Sequence, residues 1–264
     1  MAYGAREFVQ VRNTVLLIAA LTWVLLLVAP GTMSAHCAAR SSGVMPASFP
    51  MLLAMNPASL AAGWILMLIA MMSPVLILPI CHIRLRSFTH RRTRSVLLFV
   101  MAYGAIWMAL GGILLAIELA FNVFAPQSYL PALGIVLVAL VWQFSPIKQR
   151  CLNRCHSHRE LAAFGAAADF ASLRFGISHG IWCAGSCWAL MLFPMLLPQG
   201  HLVAMAIVTI LIFGERLEQP GPPSWRCRGM GKAIRIVVAQ ARIRLRDHAS
   251  HEAVCPSATL ATRS

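Results

Sequence analysis

The sequence predicts an all-α protein with several membrane-spanning helices, and three observations lead to this fold class. Hydrophobic residues make up 59% of the 264 residues and charged residues only 11%, whereas a soluble domain is roughly a quarter charged. Several uncharged apolar runs approach the length of about 20 residues with which a helix crosses a bilayer. The formal net charge of +14 is concentrated between and after these runs. Together these features predict a multi-pass helical membrane protein.

The apolar runs define six predicted spans. In chain order they cover residues 14–29, 58–80, 95–119, 130–144, 176–197 and 200–217. Residues 1–219 therefore form a predicted transmembrane domain, and residues 220–264 form a basic cytosolic tail that we expect to be partly disordered. Within the second span, Pro74 and Pro79 are expected to kink or end the helix.

The first span also has features of a secretory signal. Arg6 and Arg12 precede its apolar core, and small residues surround Ser34 and Ala35. We interpret this span as an uncleaved anchor, because its core exceeds the roughly 7–15 apolar residues of a signal peptide.

The positions of Lys and Arg predict the orientation. If each of the six spans crosses the membrane once, all Lys and Arg residues except Arg40 lie on the same side of the membrane. The positive-inside rule assigns that side to the cytoplasm, which predicts that both termini are cytosolic. The net charge is thus a topology signal with some attraction to anionic lipid. We predict the lipid bilayer as a partner and no nucleic acid.

The tail begins with a Pro- and Gly-rich segment after residue 217, which should break the helix. Basic and apolar residues then alternate from Lys232 to Arg246. This pattern is typical of an amphipathic helix on the cytoplasmic leaflet; the alternative is a short soluble tail.

The fifth span contains a row of soft metal ligands. His179, Cys183, Cys187 and Met191 follow one another at intervals of four residues, so they lie along one face of a helix. Copper(I) and zinc prefer thiolate, imidazole or thioether groups, and polar residues at membrane depth usually mark function. Since His179 lies two turns from Cys187, further ligands must come from another segment. The alternative is that these side chains only pack a helix interface.

A second group of candidate ligands lies in the predicted cytosolic loop between the fourth and fifth spans, and comprises Cys151, Cys155, His156 and His158. Their spacing differs from that of a zinc ribbon, but the neighbouring Lys and Arg residues favour thiolate. Incidental cysteines in a basic loop are the alternative. The predicted topology brings this loop to the cytosolic end of the fifth span. Weaker candidates are Cys81 and His82 at the end of the second span, Met71 and Met72 within it, and Met191.

Three ordered segments carry a resemblance to a bacterial family described as predicted metal-binding integral membrane proteins (domain of unknown function 2182). The first is a W-x-x-M-x-x-A-M-M-x-P helix, matched by Trp64, Met67, Ala70, Met71, Met72 and Pro74. The second is matched by Gln143, Pro146, Lys148, Cys151, Leu152 and Cys155. The third is matched by Gly176, His179, Gly180, Cys183, Gly185, Cys187, Trp188, Leu190 and Met191. The family pattern ends with a glutamate–lysine pair, and Glu215 and Arg216 stand at the corresponding positions here.

The chain departs from this pattern at three positions, where it carries Trp142, His156 and Ser186. Ser186 stands where the family helix has the first of two adjacent cysteines. The resemblance implies a metal site in a multi-pass protein of the bacterial inner membrane. The departure at Ser186 would weaken a site that needs three thiols from that helix, unless His156 or His158 rebuilds it. Glu215 and Arg216 are expected to form a local ion pair at the cytosolic edge.

The sequence therefore predicts a membrane protein that binds copper(I), or secondarily zinc, for delivery, sensing or translocation, with a metal donor or acceptor protein as a partner. The expected ligands are Cys151, Cys155, Cys183 and Cys187, with His179 as a ligand or gate. No ATP-binding loop is recognised, and we lean away from an enzyme.

Two alternatives stay open. One is a thiol oxidoreductase that uses the same cysteine pairs, although C-x-x-C is missing. The other is a structural subunit that packs through Gly104, Gly111 and Gly112.

Overall fold

The computed structural model describes residues 2–28, 57–124, 128–157, 161–162, 164–197 and 199–225, with a few isolated positions up to residue 242. These residues form helices and short connections and contain no strand. The α-helices, in chain order, are α1 (Ala2–Val28), α2 (Pro57–Met72), α3 (Ile77–Arg86), α4 (Arg92–Phe124), α5 (Leu130–Phe144), α6 (Pro146–His156), α7 (Gly165–Leu196) and α8 (His201–Leu217). The all-α prediction is confirmed for this part of the chain.

A helix lies at each predicted span, but fewer than six meet the requirements for crossing a membrane. Four segments of the described chain are long and apolar enough, namely Arg6–Val28, Ala61–Arg86, Thr89–Phe121 and Gly165–Leu196. A fifth span results if α5 and α6, which are bent by 65° relative to each other, are counted together. The sixth predicted span, α8, has 17 residues and is shorter than each of these four segments.

Helix α7 is the centre of the bundle and packs against α4, α5, α6 and α8. Its contact with α4 depends on two glycines. A Cβ on Gly176 would lie 2.5 Å from the carbonyl oxygen of Phe99, and one on Gly180 would lie 3.0 Å from Cβ of Ile106. Small residues allow two helices to approach this closely without a side chain between them.

The prolines of the second span have different effects. Pro74 lies in a 3₁₀ turn, Ser73–Leu76, which separates α2 from α3. Pro79 is the third residue of α3, and the helix continues to Arg86. The expected helix end is therefore present just before Pro74, whereas Pro79 causes no break, because the first residues of a helix have no intrahelical acceptor for their N–H groups.

Ion pairs gather four helix ends at one end of the bundle. Glu7 of α1 pairs with Arg84 at 2.8 Å and with Arg92 at 3.0 Å. Asp169 of α7 pairs with Arg91 at 2.8 Å and with Arg94 at 2.6 Å. Near the other end of α1, the indole of Trp23 donates to the carbonyl of Ala70 at 3.1 Å. The small residues around Ser34 and Ala35 lie outside the described residues.

The segment predicted as the loop between spans four and five is largely the helix α6. Ser145 caps its N-terminus by accepting a hydrogen bond from the backbone N–H of Ile147 at 3.1 Å, and Pro146 is its first residue. Both features favour a helix start. The loop prediction was therefore wrong for residues 146–156, and the next helix also begins earlier than expected, at Gly165.

The first residues of the tail lie against α6. Asn153 donates to the carbonyl of Gly221 at 2.8 Å, and the N–H of Ser224 donates to Gln149 at 3.0 Å. Ten of the fifteen residues of the amphipathic helix predicted from Lys232 to Arg246 lie outside the described residues, and the five described ones are helical.

Candidate metal centre

Four of the predicted thiol ligands come from two helices in contact. Cys151 and Cys155 lie on α6, Cys183 and Cys187 lie on α7, and all four are buried. A Cβ on Gly185 would lie 3.1 Å from the sulfur of Cys151. The glycine therefore leaves the space into which this thiol projects.

Helix α8 adds a guanidinium group to these thiols. Nη2 of Arg216 donates to the sulfur of Cys183 at 3.1 Å and to the hydroxyl oxygen of Ser186 at 3.2 Å. The same guanidinium lies beside the thiol of Cys155. Thiols from α6 and α7 thus meet around one positive charge from α8, and we call Cys151, Cys155, Cys183, Cys187 and Arg216 the thiol–arginine cluster.

The side chains of α7 at this level also bond to their own helix. The thiol of Cys187 donates to the carbonyl of Cys183 at 3.0 Å, and the hydroxyl of Ser186 donates to the same carbonyl at 2.7 Å. The sulfur of Cys183 is 3.4 Å from the hydroxyl of Tyr103 on α4. Cys183 is therefore the thiol that α4 and α8 both contact.

A buried ion pair lies next to the cluster. Nζ of Lys148 on α6 is 2.8 Å from Oε1 of Glu215 on α8, and the exposed fractions of the two side chains are 1% and 3%. Lys148 also donates to Gln143. The sequence favoured a local pair between Glu215 and Arg216, but the structure joins Glu215 to α6 and directs Arg216 to the thiols. Residues separated by a whole span have become neighbours through packing, which local spacing does not reveal.

The histidine candidates lie in different environments. Both ring nitrogens of His156 face carbonyl oxygens, Nδ1 that of Leu152 at 2.8 Å and Nε2 that of Arg216 at 3.0 Å. This ring links the ends of α6 and α8, and in this arrangement it offers no nitrogen to a metal. The ring of His179 is buried between those of Phe99, Tyr103 and Phe175, with centroid distances of 5.9–6.0 Å. His158 lies outside the described residues.

The weaker candidates from the second span do not join the cluster. Cys81 is buried in a separate group with Val11 and Ile77. The rings of His82 and Phe175 are arranged edge to face, with a centroid distance of 6.0 Å. The thiols of the cluster therefore come from α6 and α7, and the end of the second span adds none. Met71, Met72 and Met191 are buried in the main core.

Tryptophan rings surround the thiols. Trp107 of α4 is fully buried and lies beside Cys183. The indole of Trp142 donates to the carbonyl of Gly185 at 3.1 Å, and its ring meets that of Trp188 at 5.6 Å. Arg154 lies over the ring of Trp182, 5.2 Å from its centroid.

In the described residues, no group of three or more His, Cys, Asp and Glu side chains is arranged to hold a metal ion. The thiols face a guanidinium and backbone carbonyls instead. The sequence identified the four cysteines, but it missed Arg216 and Tyr103 as their partners. The available signal for Arg216 was its position at the end of an apolar run, where a charged side chain within a span usually faces the protein interior.

The sequence of the chain matches a known protein family. The model of the copper chaperone family PpoB2 matches residues 61–239, which is more than half of the chain. The chain belongs to the PpoB2 family of copper chaperones. The matched PpoB2 region contains the whole thiol–arginine cluster and excludes α1. No curated protein and no solved structure matches the chain.

Membership of the PpoB2 family indicates copper-related metal handling. It confirms the metal-related part of the resemblance recognised in the sequence, while the more specific family named there stays a prediction. The match gives no support for zinc.

Proposed function

We propose that this protein is a copper(I) chaperone of the bacterial inner membrane that receives copper(I) on thiols of α6 and α7 and delivers it to a partner protein. The observation that carries this proposal is the meeting of Cys155 and Cys183, from different helices, at the guanidinium of Arg216. Membership of a copper chaperone family supports copper as the ion.

Copper(I) suits this arrangement because of its coordination chemistry. It is a soft ion that prefers thiolate ligands, and two thiolates are sufficient to hold it. A site of two thiols with two more nearby therefore serves this ion even though no three-ligand group is present in the described residues. Cys151 and Cys187 border the pair and are proposed to accept the ion during transfer.

The alternative of a thiol oxidoreductase receives less support. Cys183 and Cys187 lie one turn apart on the same helix, and the thiol of Cys187 points to the carbonyl of Cys183. The cysteines that the structure describes are free thiols. The alternative of a structural subunit relies on Gly104, Gly111 and Gly112 as a surface for a partner. Gly111 is covered by Trp64 of the same chain, so it is not available to a partner.

Anaerobic copper loading tests the proposal. The detergent-purified protein would be loaded with copper(I), separated from excess ion, and examined by elemental analysis and X-ray absorption. We expect near-stoichiometric copper with sulfur neighbours in the wild type, and a strong loss of copper in Cys155→Ser and Cys183→Ser. Cys81→Ser is the matched control, since it removes a buried thiol from a separate cluster and should retain the copper. Failure of the wild type to hold copper(I), or equal loss in all three variants, would refute the proposal.

A second experiment distinguishes delivery from translocation. Copper(I)-loaded protein in sealed vesicles would be mixed with a membrane-impermeant copper(I) chelator outside, while a second chelator reports from the lumen. Delivery predicts that copper reaches the chelator on the side of the thiol–arginine cluster and stays out of the opposite compartment. Steady accumulation of copper on the opposite side would instead indicate translocation.

A further inference from the structure

We propose that Arg216 determines the charge of the ion that the thiol–arginine cluster accepts, favouring a monovalent ion on two thiolates over a divalent ion on the same two thiolates. This inference rests on the proposed copper function and adds the residue that selects the ion. Because Arg216 is positively charged, a search for metal ligands in the sequence would not select it.

The first step is the set of groups that face the guanidinium. Arg216 donates to the sulfur of Cys183 at 3.1 Å and to the hydroxyl of Ser186 at 3.2 Å, and it lies beside Cys155. Two thiols and one hydroxyl therefore share one positive charge. Arginine does not lose its proton in proteins, so this charge is permanent.

The second step is an excess of hydrogen-bond donors around the same place. Within the described part of the chain, Nε of Arg216 is buried without an acceptor. The indole of Trp107, whose ring is fully buried, lies beside the sulfur of Cys183. Buried donors without acceptors are rare because they are costly, and a negatively charged group beside the guanidinium would give Nε of Arg216 an acceptor.

The third step is the charge produced when copper(I) binds. Two S–H bonds break and two Cu–S bonds form, the two protons leave to water, and copper stays at the +1 state. The resulting bis-thiolate complex carries a charge of −1, and burying an isolated charge in an apolar region is expensive. With Arg216 in contact, the complex and the guanidinium together are neutral.

The other nearby charges leave this balance unchanged. Lys148 is paired with Glu215 at 2.8 Å, so the two contribute no net charge. A divalent ion on the same two thiolates would form a neutral complex, which leaves the positive charge of Arg216 uncompensated. A third thiolate would restore neutrality for a divalent ion, but the third group that the guanidinium contacts is the neutral hydroxyl of Ser186.

The test measures the affinities of the full-length protein for copper(I) and for zinc, each by competition with a chromophoric chelator under anaerobic conditions. Arg216→Met should weaken copper(I) binding by about 10- to 100-fold, the range for removal of a group that supports the ligands of a metal. Zinc binding should be unchanged or tighter in this variant. Arg216→Lys keeps the charge and should retain most of the copper(I) affinity, while Ser186→Cys should tighten zinc binding.

The outcomes separate this inference from the proposed function. If the wild type binds no copper(I), the proposed function fails. If the wild type binds copper(I) and Arg216→Met binds it equally well, only the role of Arg216 is overturned. Equal weakening of both ions without rescue by Arg216→Lys would show a purely structural role and would also overturn it. Should Arg216→Met not fold, Ser186→Cys decides, and an unchanged ratio of zinc to copper affinity would contradict the inference.

Discussion

The ion pair between Lys148 and Glu215 shows how single residues set up the candidate site. Both side chains are almost completely buried, and their charged atoms are 2.8 Å apart. Lys148 lies three residues before Cys151 on α6, and Glu215 directly precedes Arg216 on α8. The pair therefore fixes the position of the thiols of α6 relative to the guanidinium of α8.

Removing one partner of this pair should destabilise the protein strongly. Lys148→Met leaves the Glu215 carboxylate buried without its counter-ion, which costs about 3–5 kcal/mol in buried pairs. We expect a lower thermal unfolding midpoint in detergent and weaker copper(I) binding. The double variant Lys148→Met, Glu215→Gln should recover part of the stability, because the unpaired charge is gone. Additive losses in the double variant would show that the two residues do not act as a pair.

At this scale the sequence predicted the thiols but not their partners. The spacing of Cys183 and Cys187 places them on one helix face through local geometry alone. The contact between Arg216 and Cys183 joins residues 33 positions apart, and the pair of Lys148 with Glu215 spans 67 positions. Such contacts depend on which helices pack together, which the spacing of a single segment does not encode.

Among the secondary-structure elements, α7 depends most on close packing. The face that carries Gly176 and Gly180 presses against α4, and the next turns carry Cys183 and Cys187. Any change in the distance between these helices would move the thiols relative to Tyr103 and Trp107 of α4.

The variant Gly176→Ala should separate α7 from α4. Its Cβ would meet the backbone oxygen of Phe99 at 2.5 Å, and overpacking of this kind costs about 1–3 kcal/mol. Gly104→Ala on α4 is the matched control, since its Cβ would have nothing within 4 Å and alanine favours a helix over glycine by roughly 1 kcal/mol. We expect a lower unfolding midpoint for the first variant and an equal or higher one for the second. Similar behaviour of the two would contradict the packing argument.

The helix α6 illustrates how an element escaped prediction. Its sequence is polar and basic, so hydropathy marks it as a loop between two spans. The helix is instead specified at its start, where Ser145 caps and Pro146 begins it, and it is stabilised by the contacts of its buried face with α7. The capping residues were readable in the sequence, but the buried face was not, because it is formed partly by Lys148 and Gln149.

On the scale of the whole molecule, the lengths of α7 and α8 support the prediction that the cluster lies within the thickness of a membrane. At about 1.5 Å per residue, Cys183 lies about 20 Å from the end of α7 at Leu196, and Arg216 lies about 22 Å from the start of α8 at His201. Both are less than the roughly 30 Å of a hydrocarbon core. The short α8 thus brings Arg216 to the level of Cys183.

The predicted topology can be tested with reporter fusions. If both termini are cytosolic, alkaline phosphatase should be inactive when fused after the last residue and active when fused between α7 and α8, near Gly200. A fusion near Thr89, between α3 and α4, is the cytosolic control. An active enzyme at the C-terminus would show that α8 does not cross, or that α5 and α6 do not count as one span.

The tryptophan rings around the cluster give the protein a built-in optical signal. Trp107 lies beside Cys183, and Trp142 is bonded to the backbone of Gly185, where Cys151 projects. A heavy ion bound to these sulfurs would lie close enough to quench the indole fluorescence. Titration of the unlabelled protein with copper(I) or silver(I) should therefore dim its emission until the site is filled, and Cys183→Ser should show a smaller decrease. Arrival and departure of the ion could then be followed in real time without attaching any dye.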